Sequence, residues 1–152
     1  MQKLLRSMHK KEEGFTLVEL MVVVVIIGVL VAIAIPIMNQ VTAGAERGTI
    51  EANLRTIDGA LMMMDAEGID LDELEEDDLD AYIEDYGDLG PGDADYDVEE
   101  VGTGDYNIAG NGENVTVQEE RHRAVVTANG AGGLSDDGQY FLYGGQLLEY
   151  AE

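Results

Sequence analysis

Glu19 is the residue whose type and position most clearly call for a chemical explanation. It is the only charged residue between Phe15 and Met38, a segment that otherwise consists of apolar residues, Gly, Thr and Pro. Placing an acidic side chain at the centre of a bilayer costs about 2.5–3.5 kcal/mol on insertion scales. No Lys, Arg or His lies within one helical turn of Glu19. The carboxylate therefore needs a partner from elsewhere.

Few other side chains could support catalysis. The chain has no Cys, and beyond residue 14 it has no Lys and one His, His122, between Arg121 and Arg123. The 32 acidic residues could supply a carboxylate pair for acid–base chemistry, but they occur in loop-like runs that single out no pair. We predict no enzyme, no catalytic residue and no cofactor. We expect His122 to be exposed on a turn or strand edge, with the two arginines available to carboxylates of a neighbouring subunit.

Alternating acids in one segment raise the possibility of a calcium site. Asp93, Asp95, Asp97 and Glu99 have the oxygen ligands that calcium prefers. An EF-hand loop opening at Asp93 would need Gly at position 98 and an acid at position 104, where the chain has Val and Gly. The motif therefore fails, and no metal site is predicted.

The apolar segment is long enough to cross a membrane. Residues 20–38 contain no charge and number 19, within the roughly 17–25 residues that span a bilayer core. A cleaved secretory signal would have a shorter apolar run of about 7–15 residues, and a plain signal anchor is the stronger alternative. The basic residues before the span predict an N-terminus inside the cell and the remainder outside.

A helical stripe continues beyond the span. Ile50, Leu54, Ile57, Leu61 and Met64 recur at the spacing of one helix face. The pattern predicts a helix from Phe15 to about Met64, with its second half packed against a globular part.

The remainder of the chain reads as an acidic connection followed by strands. Within residues 65–100, we predict a short helix over Leu79–Tyr86, capped by Asp77 or Asp78. Strands are predicted at five apolar or alternating runs: Asp105–Ala109, Asn114–Gln118, Arg123–Ala128, Gln139–Tyr143 and Gln146–Tyr150. Gly144-Gly145 is a strong signal for a two-residue hairpin. The fold class is α+β: a long hydrophobic N-terminal helix packed on a small antiparallel sheet.

Charge restricts the partners. The net charge is −24, and the first fourteen residues carry +2, so the rest of the chain carries −26. Such a surface repels nucleic acid, which requires Lys or Arg to neutralise phosphates. The simplest explanation of the excess of acidic residues is a highly soluble surface. A more specific hypothesis is adaptation to concentrated salt.

The N-terminal sequence KKEEGFTLVELMVVVVIIGVLVAIAIP, residues 10–36, closely resembles that of type IV pilins and of the pseudopilins of type II secretion and DNA-uptake systems. The resemblance implies that prepilin peptidase cuts between Gly14 and Phe15 and methylates the new Phe15 amine. It also implies that Glu19 meets the Phe15 amine of a neighbouring subunit and sets the axial register. The segment between Gly28 and Pro36 would lose helicity when the filament stretches. Some related pseudopilins bind calcium in a late loop, where this chain has Ser135-Asp136-Asp137-Gly138.

The resemblance also suggests how the chain is organised. The expected divisions are a leader (1–14), an assembly half-helix (15–38), an amphipathic half-helix (39–64), an acidic connection (65–100) and an antiparallel β head (101–152). The implied function is a structural subunit that forms a helical homopolymer. Prepilin peptidase and the inner-membrane assembly machinery would be its partners. The precursor would lie in the cytoplasmic membrane and the product in an extracellular filament. A secretion or uptake pseudopilin and a membrane-anchored binding module that does not polymerise are the alternatives.

Overall fold

The computed structural model of the chain describes residues 14–84 and 86–150. These residues form two compact units, of which the first ends at Asn39 and the second, the head unit, begins at Gln40. One helix, α1 (Leu17–Glu67), contributes to both units. The leader lies outside the described residues except for Gly14.

In the first unit, α1 continues without a break through Gly28 and Pro36. Pro36 has no N–H, so the carbonyl of Ala32 lacks its usual helical donor. Every side chain of this part of the helix is exposed. Because its apolar side chains meet no partner within the unit, they require a lipid environment or other helices to bury them.

In the head unit, α1 buries the stripe predicted from the sequence. Ile50, Leu54, Ile57 and Met64 are fully buried, which confirms the prediction. The helix extends to Glu67, beyond the expected end near Met64. Gly68 then adopts a φ of 81°. The Gly68 N–H donates to the Asp65 carbonyl at 3.0 Å, and the Ile69 N–H donates to the Met64 carbonyl at 3.0 Å. This is a Schellman ending, which favours Gly because it requires a left-handed residue.

The β-structure forms a four-stranded antiparallel sheet and a separate two-stranded sheet. The strands are β1 (Asp95–Val101), β2 (Gly104–Asn107), β3 (Asn114–Val117), β4 (Arg121–Thr127), β5 (Gln139–Tyr143) and β6 (Gln146–Tyr150). The larger sheet has the order β1-β4-β5-β6, and β2 pairs with β3. Tyr143 faces Gln146 across the Gly144-Gly145 turn, as the sequence predicted. The α+β fold class is confirmed.

Two expectations about the acidic stretch are wrong. β1 (Asp95–Val101) begins within residues 65–100, which were predicted only to connect the helix to the sheet. The predicted helix over Leu79–Tyr86 is replaced by a shorter helix, α2 (Glu76–Asp80), in which the Glu75 N–H donates to Asp78 Oδ2 at 3.1 Å. The apolar residues Leu79, Ile83 and Tyr86 are nevertheless buried, so the burial pattern is right although the helix is misplaced.

The larger sheet is buried on both faces. One face packs against the stripe of α1, with Ala124, Val126 and Leu147 in the shared core. The opposite face forms a second core with Val117 of β3. There Phe141 makes edge-to-face contacts with Tyr106, at 4.9 Å between ring centroids, and with Tyr150, at 6.2 Å. Helix, sheet and β2–β3 pair therefore form successive layers of the head unit.

Candidate functional site

The start of α1 places the predicted cleavage site outside the helix. Gly14 and Phe15 precede the first helical residue, Leu17, and Phe15 is 82% exposed. A Cβ built on Gly14 would meet nothing within 4 Å. The peptide bond between the two residues is thus held by no regular secondary structure, as a protease requires of a substrate.

Glu19 lies one turn into the helix and is engaged by Thr16. The Thr16 backbone N–H donates to Glu19 Oε2 at 2.9 Å, and the Thr16 hydroxyl donates to the same oxygen at 2.7 Å. The Glu19 N–H in turn donates to Thr16 Oγ1 at 3.2 Å. This reciprocal arrangement is a capping box, which satisfies donors at the helix start that have no helical acceptor.

The capping role of Thr16 was missed in the sequence. The signal was present as Thr16-Leu17-Val18-Glu19, a Thr followed three residues later by a Glu before an apolar run. A cationic partner was expected for Glu19, whereas its hydrogen-bond donors are the neutral N–H and hydroxyl of Thr16. Both bonds reach Oε2, so Oε1 accepts no hydrogen bond from any residue that the structure describes. The carboxylate is half satisfied within its own chain.

The helix that follows has the length and composition of a membrane span. Within Leu17–Glu67, an apolar stretch of mean hydropathy 3.3 is not buried against any residue that the structure describes. Gly28 and Pro36 are both exposed, and a Cβ on Gly28 would contact nothing within 4 Å among the described residues. Their mechanical role stays a prediction.

Comparison with known proteins finds similarity in the same N-terminal segment. Residues 9–35 match the prokaryotic N-terminal methylation motif. Over 61 residues, the chain is 39% identical to the type IV narrow pilus major component PilA5 of Thermus thermophilus. The N-terminal segment of this chain is therefore similar to that of type IV pilins. The aligned part is 39% of this chain and about half (53%) of the length of PilA5. No solved structure gives a significant match.

The basic triplet Arg121–Arg123 does not lie on an exposed edge. Arg123 is 3% exposed, and its guanidinium lies 5.0 Å from the centre of the Tyr143 ring. The His122 side chain is 18% exposed, and its Nε2 lies 3.2 Å from Asp72 Oδ1. The expectations of an exposed His122 and of arginines available to a neighbour are therefore wrong for His122 and Arg123. The ring of Tyr143 is twenty residues away in sequence, so neither contact could be predicted from local pattern.

Asp58 of α1 lies beside this triplet. Its Oδ1 accepts a hydrogen bond from the Ala124 N–H at 2.9 Å. Burial raises the pKa of the Asp58 carboxyl, although the Ala124 hydrogen bond and the charges of Arg121 and Arg123 act in the opposite direction. The Nε atoms of both arginines are buried without a hydrogen-bond partner. This cluster joins the helix to the sheet.

The candidate calcium segments have structural roles. Asp95, Asp97 and Glu99 belong to β1, where the Asp97 carboxylate accepts a hydrogen bond from the Val98 N–H at 2.8 Å. In the late loop, the Ser135 N–H donates to the Tyr140 hydroxyl at 3.1 Å. Among residues 14–84 and 86–150, no group of three or more His, Asp or Glu is placed to hold a metal ion.

Proposed function

We propose that this chain is the precursor of a structural subunit of a type IV pilus. Prepilin peptidase cuts it at Gly14–Phe15, methylates the Phe15 amine, and leaves α1 to enter the filament. The observation that carries the proposal is the start of α1. An exposed junction there precedes an apolar helical segment whose single carboxylate, Glu19, lies in the first turn and is half satisfied.

The electrostatics of assembly follow from that carboxylate. Thr16 occupies Oε2 of Glu19, and Oε1 remains able to accept. Cleavage creates the amine of Phe15, and a neighbour's amine offers an approaching Glu19 a charge-assisted hydrogen bond, which is about twice as strong as a neutral one. We propose that this pairing sets the axial register, while Gly28 and Pro36 allow the helix to extend under load. The precursor lies in the cytoplasmic membrane with its N-terminus inside.

Mass spectrometry tests the processing step. The mature chain is expected to begin at Phe15 and to carry one methyl group on its amine. Electron microscopy of cells with and without the gene tests the product: long surface filaments that disappear support a pilus. A processed chain without long filaments would instead support a pseudopilin of a secretion or uptake system, and an unprocessed chain would support a plain membrane anchor.

Substitution of Glu19 separates its charge from its capping role. Glu19→Ala removes both, whereas Glu19→Gln keeps an oxygen that can accept from Thr16 and removes only the charge. We expect both variants to insert in the membrane. We expect each to reduce the number of filaments by about tenfold or more, because a hydrogen bond to a charged group contributes about 1.5–3 kcal/mol. Asp137→Ala, on an exposed loop of the head unit, is the matched control. Normal filament numbers with Glu19→Gln would refute the proposed pairing with the amine.

A further inference from the structure

The cations of the mature chain are nearly all engaged within the head unit. Beyond residue 14 the chain has four arginines and no Lys. Arg47 Nη2 donates to the Ala109 carbonyl at 3.0 Å, and Arg123 is buried over Tyr143. Arg121 has an enclosed Nε. Arg47 and Arg123 are therefore engaged within the head unit, and Arg121 lines a recess together with Asp58, Glu100 and Glu120 of its own chain.

Arg55 differs from the other three arginines. Its side chain is 53% exposed, and its only ion-pair partner in the described parts of the chain is Glu51, with Arg55 Nη2 and Glu51 Oε2 3.4 Å apart. Glu51 also lies 3.8 Å from Arg47 Nε, so one carboxylate faces two guanidinium groups. An exposed pair of this kind contributes at most about 0.5 kcal/mol in a helix. Arg55 thus retains most of its capacity to bind a carboxylate elsewhere.

A groove of about 310 Å³ in the head unit has the complementary character. It lies between β1 and the segment that leads into α2, and Leu74, Leu79 and Val98 form its apolar lining. Five carboxylates surround it: Asp72, Glu75, Asp97, Glu99 and Glu100. The one basic side chain that lines it is His122, already paired with Asp72.

An arginine side chain suits this groove. Its methylene stem can cover apolar surface while its planar guanidinium donates to carboxylates at the rim. Arg55 does not line the groove of its own chain, so contact between the two requires a second copy. Such a contact joins different patches on successive subunits, which is the arrangement that generates a helical filament.

We propose that, in the filament, Arg55 of one subunit enters the acidic groove of the next. The inference rests on the proposed function and adds to it a specific contact between head units. It also assigns a role to the carboxylates around the groove, which otherwise repel one another when many subunits are stacked.

Cross-linking tests this contact directly, because the chain has no Cys. Arg55→Cys and Glu100→Cys are combined in one chain. Isolated filaments are treated with a short homobifunctional thiol cross-linker, which spans the gap left by the arginine side chain, and are separated under denaturing conditions. We expect a ladder of dimers and larger species. Arg55→Cys with Asp137→Cys is the matched control, which pairs Arg55 with an exposed position outside the groove. A ladder absent from the first pair, or equal in both, would overturn the proposal.

Charge reversal tests the electrostatics independently. Arg55→Glu is expected to reduce filament number about tenfold, Arg55→Lys to retain it largely, and Arg55→Glu with Glu100→Arg to restore it in part. Circular dichroism of the detergent-solubilised full chain establishes that each variant is folded. If the wild type forms filaments and Arg55→Glu forms them in equal number, the groove contact is contradicted and the proposed function is not. If the wild type itself never forms filaments, the proposed function is contradicted.

Discussion

Asp58 shows how one half-buried carboxylate joins helix to sheet. β5 pairs with β4 only from Val125 to Thr127, and the preceding Ala124 N–H finds its acceptor in Asp58. The sequence pattern placed Asp58 off the apolar stripe of α1, where an exposed position is expected. Asp58 instead faces the sheet, where it accepts from an N–H of β4 beyond the residues that pair with β5. The periodicity of a helix cannot predict such a tertiary contact.

The raised pKa of Asp58 predicts a pH dependence. The folded chain holds this proton more tightly than the unfolded chain does. Protonated Asp58 therefore adds to the free energy of unfolding at acidic pH. This contribution is lost as the pH rises from the ordinary pKa of Asp, about 3.9, through the raised pKa of the folded chain. Relative to Asp58→Asn, the wild type should therefore gain stability as the pH falls from 7 to 4.

Urea unfolding of the detergent-solubilised full chain, followed by the near-ultraviolet circular dichroism of Tyr, measures this difference. The Asn side chain keeps an oxygen that can accept from Ala124, so the variant isolates the ionisation. Because all other carboxylates are shared by the two chains, their titration cancels in the comparison. A stability difference that stays constant with pH would show that Asp58 ionises as easily in the folded chain as in the unfolded one.

At the scale of elements, the loop after β4 is joined to the part of α1 that lies within the head unit. The Gly132 N–H donates to Glu46 Oε2 at 3.0 Å. Gly132 has a φ of 62°, and a Cβ there would lie 2.9 Å from the Arg47 backbone nitrogen. Both the positive φ and the close approach require glycine.

Gly132→Ala should therefore destabilise the head unit by about 2 kcal/mol or more, through backbone strain and collision with the helix. Gly102→Ala is the control, since that glycine has no positive φ and its Cβ would meet nothing within 4 Å. The urea midpoint of each variant gives the comparison. Equal midpoints for the two variants would show that the loop moves away from α1 at little cost.

The sequence predicted elements well where their local pattern was strong. Both ends of β5 and of β6 were correct, because Gly144-Gly145 fixes their register. β1 was not predicted, because a run rich in Asp and Glu is typical of a loop. Tyr96 and Val98 nevertheless alternate with Asp95 and Asp97, as in a half-buried strand. The first turn of α1 was recognised by its resemblance to pilins, whereas the Thr16 cap required attention to neutral hydrogen-bond donors.

At the scale of the whole molecule, the charge of −26 beyond the leader must be screened. The arginines pair mostly within the head unit, so the outward surface remains strongly anionic. The screening length is about 10 Å at 0.1 M salt and about 3 Å at 1 M. We expect the melting temperature of the head unit, followed by Tyr circular dichroism in the detergent-solubilised chain, to rise as NaCl increases from 0.1 to 1 M.

Sodium bromide at matched ionic strength distinguishes screening from a specific chloride effect, because screening depends on ionic strength alone, and bromide avoids the general stabilisation that sulfate produces. A melting temperature that is unchanged by either salt would mean that self-repulsion does not limit the stability of this chain. It would also remove the support for an origin in concentrated salt.

The position of β1 has a consequence for many copies held side by side. β1 is at the edge of the four-stranded sheet, with backbone groups that could pair with another strand. Its sequence, DYDVEEV, places four carboxylates along that edge. Two such edges repel each other before backbone hydrogen bonds can form, a device that keeps exposed strands from joining. In the proposed filament, crowded head units would thus stay separately folded, and their edge strands would not join into an amyloid-like sheet.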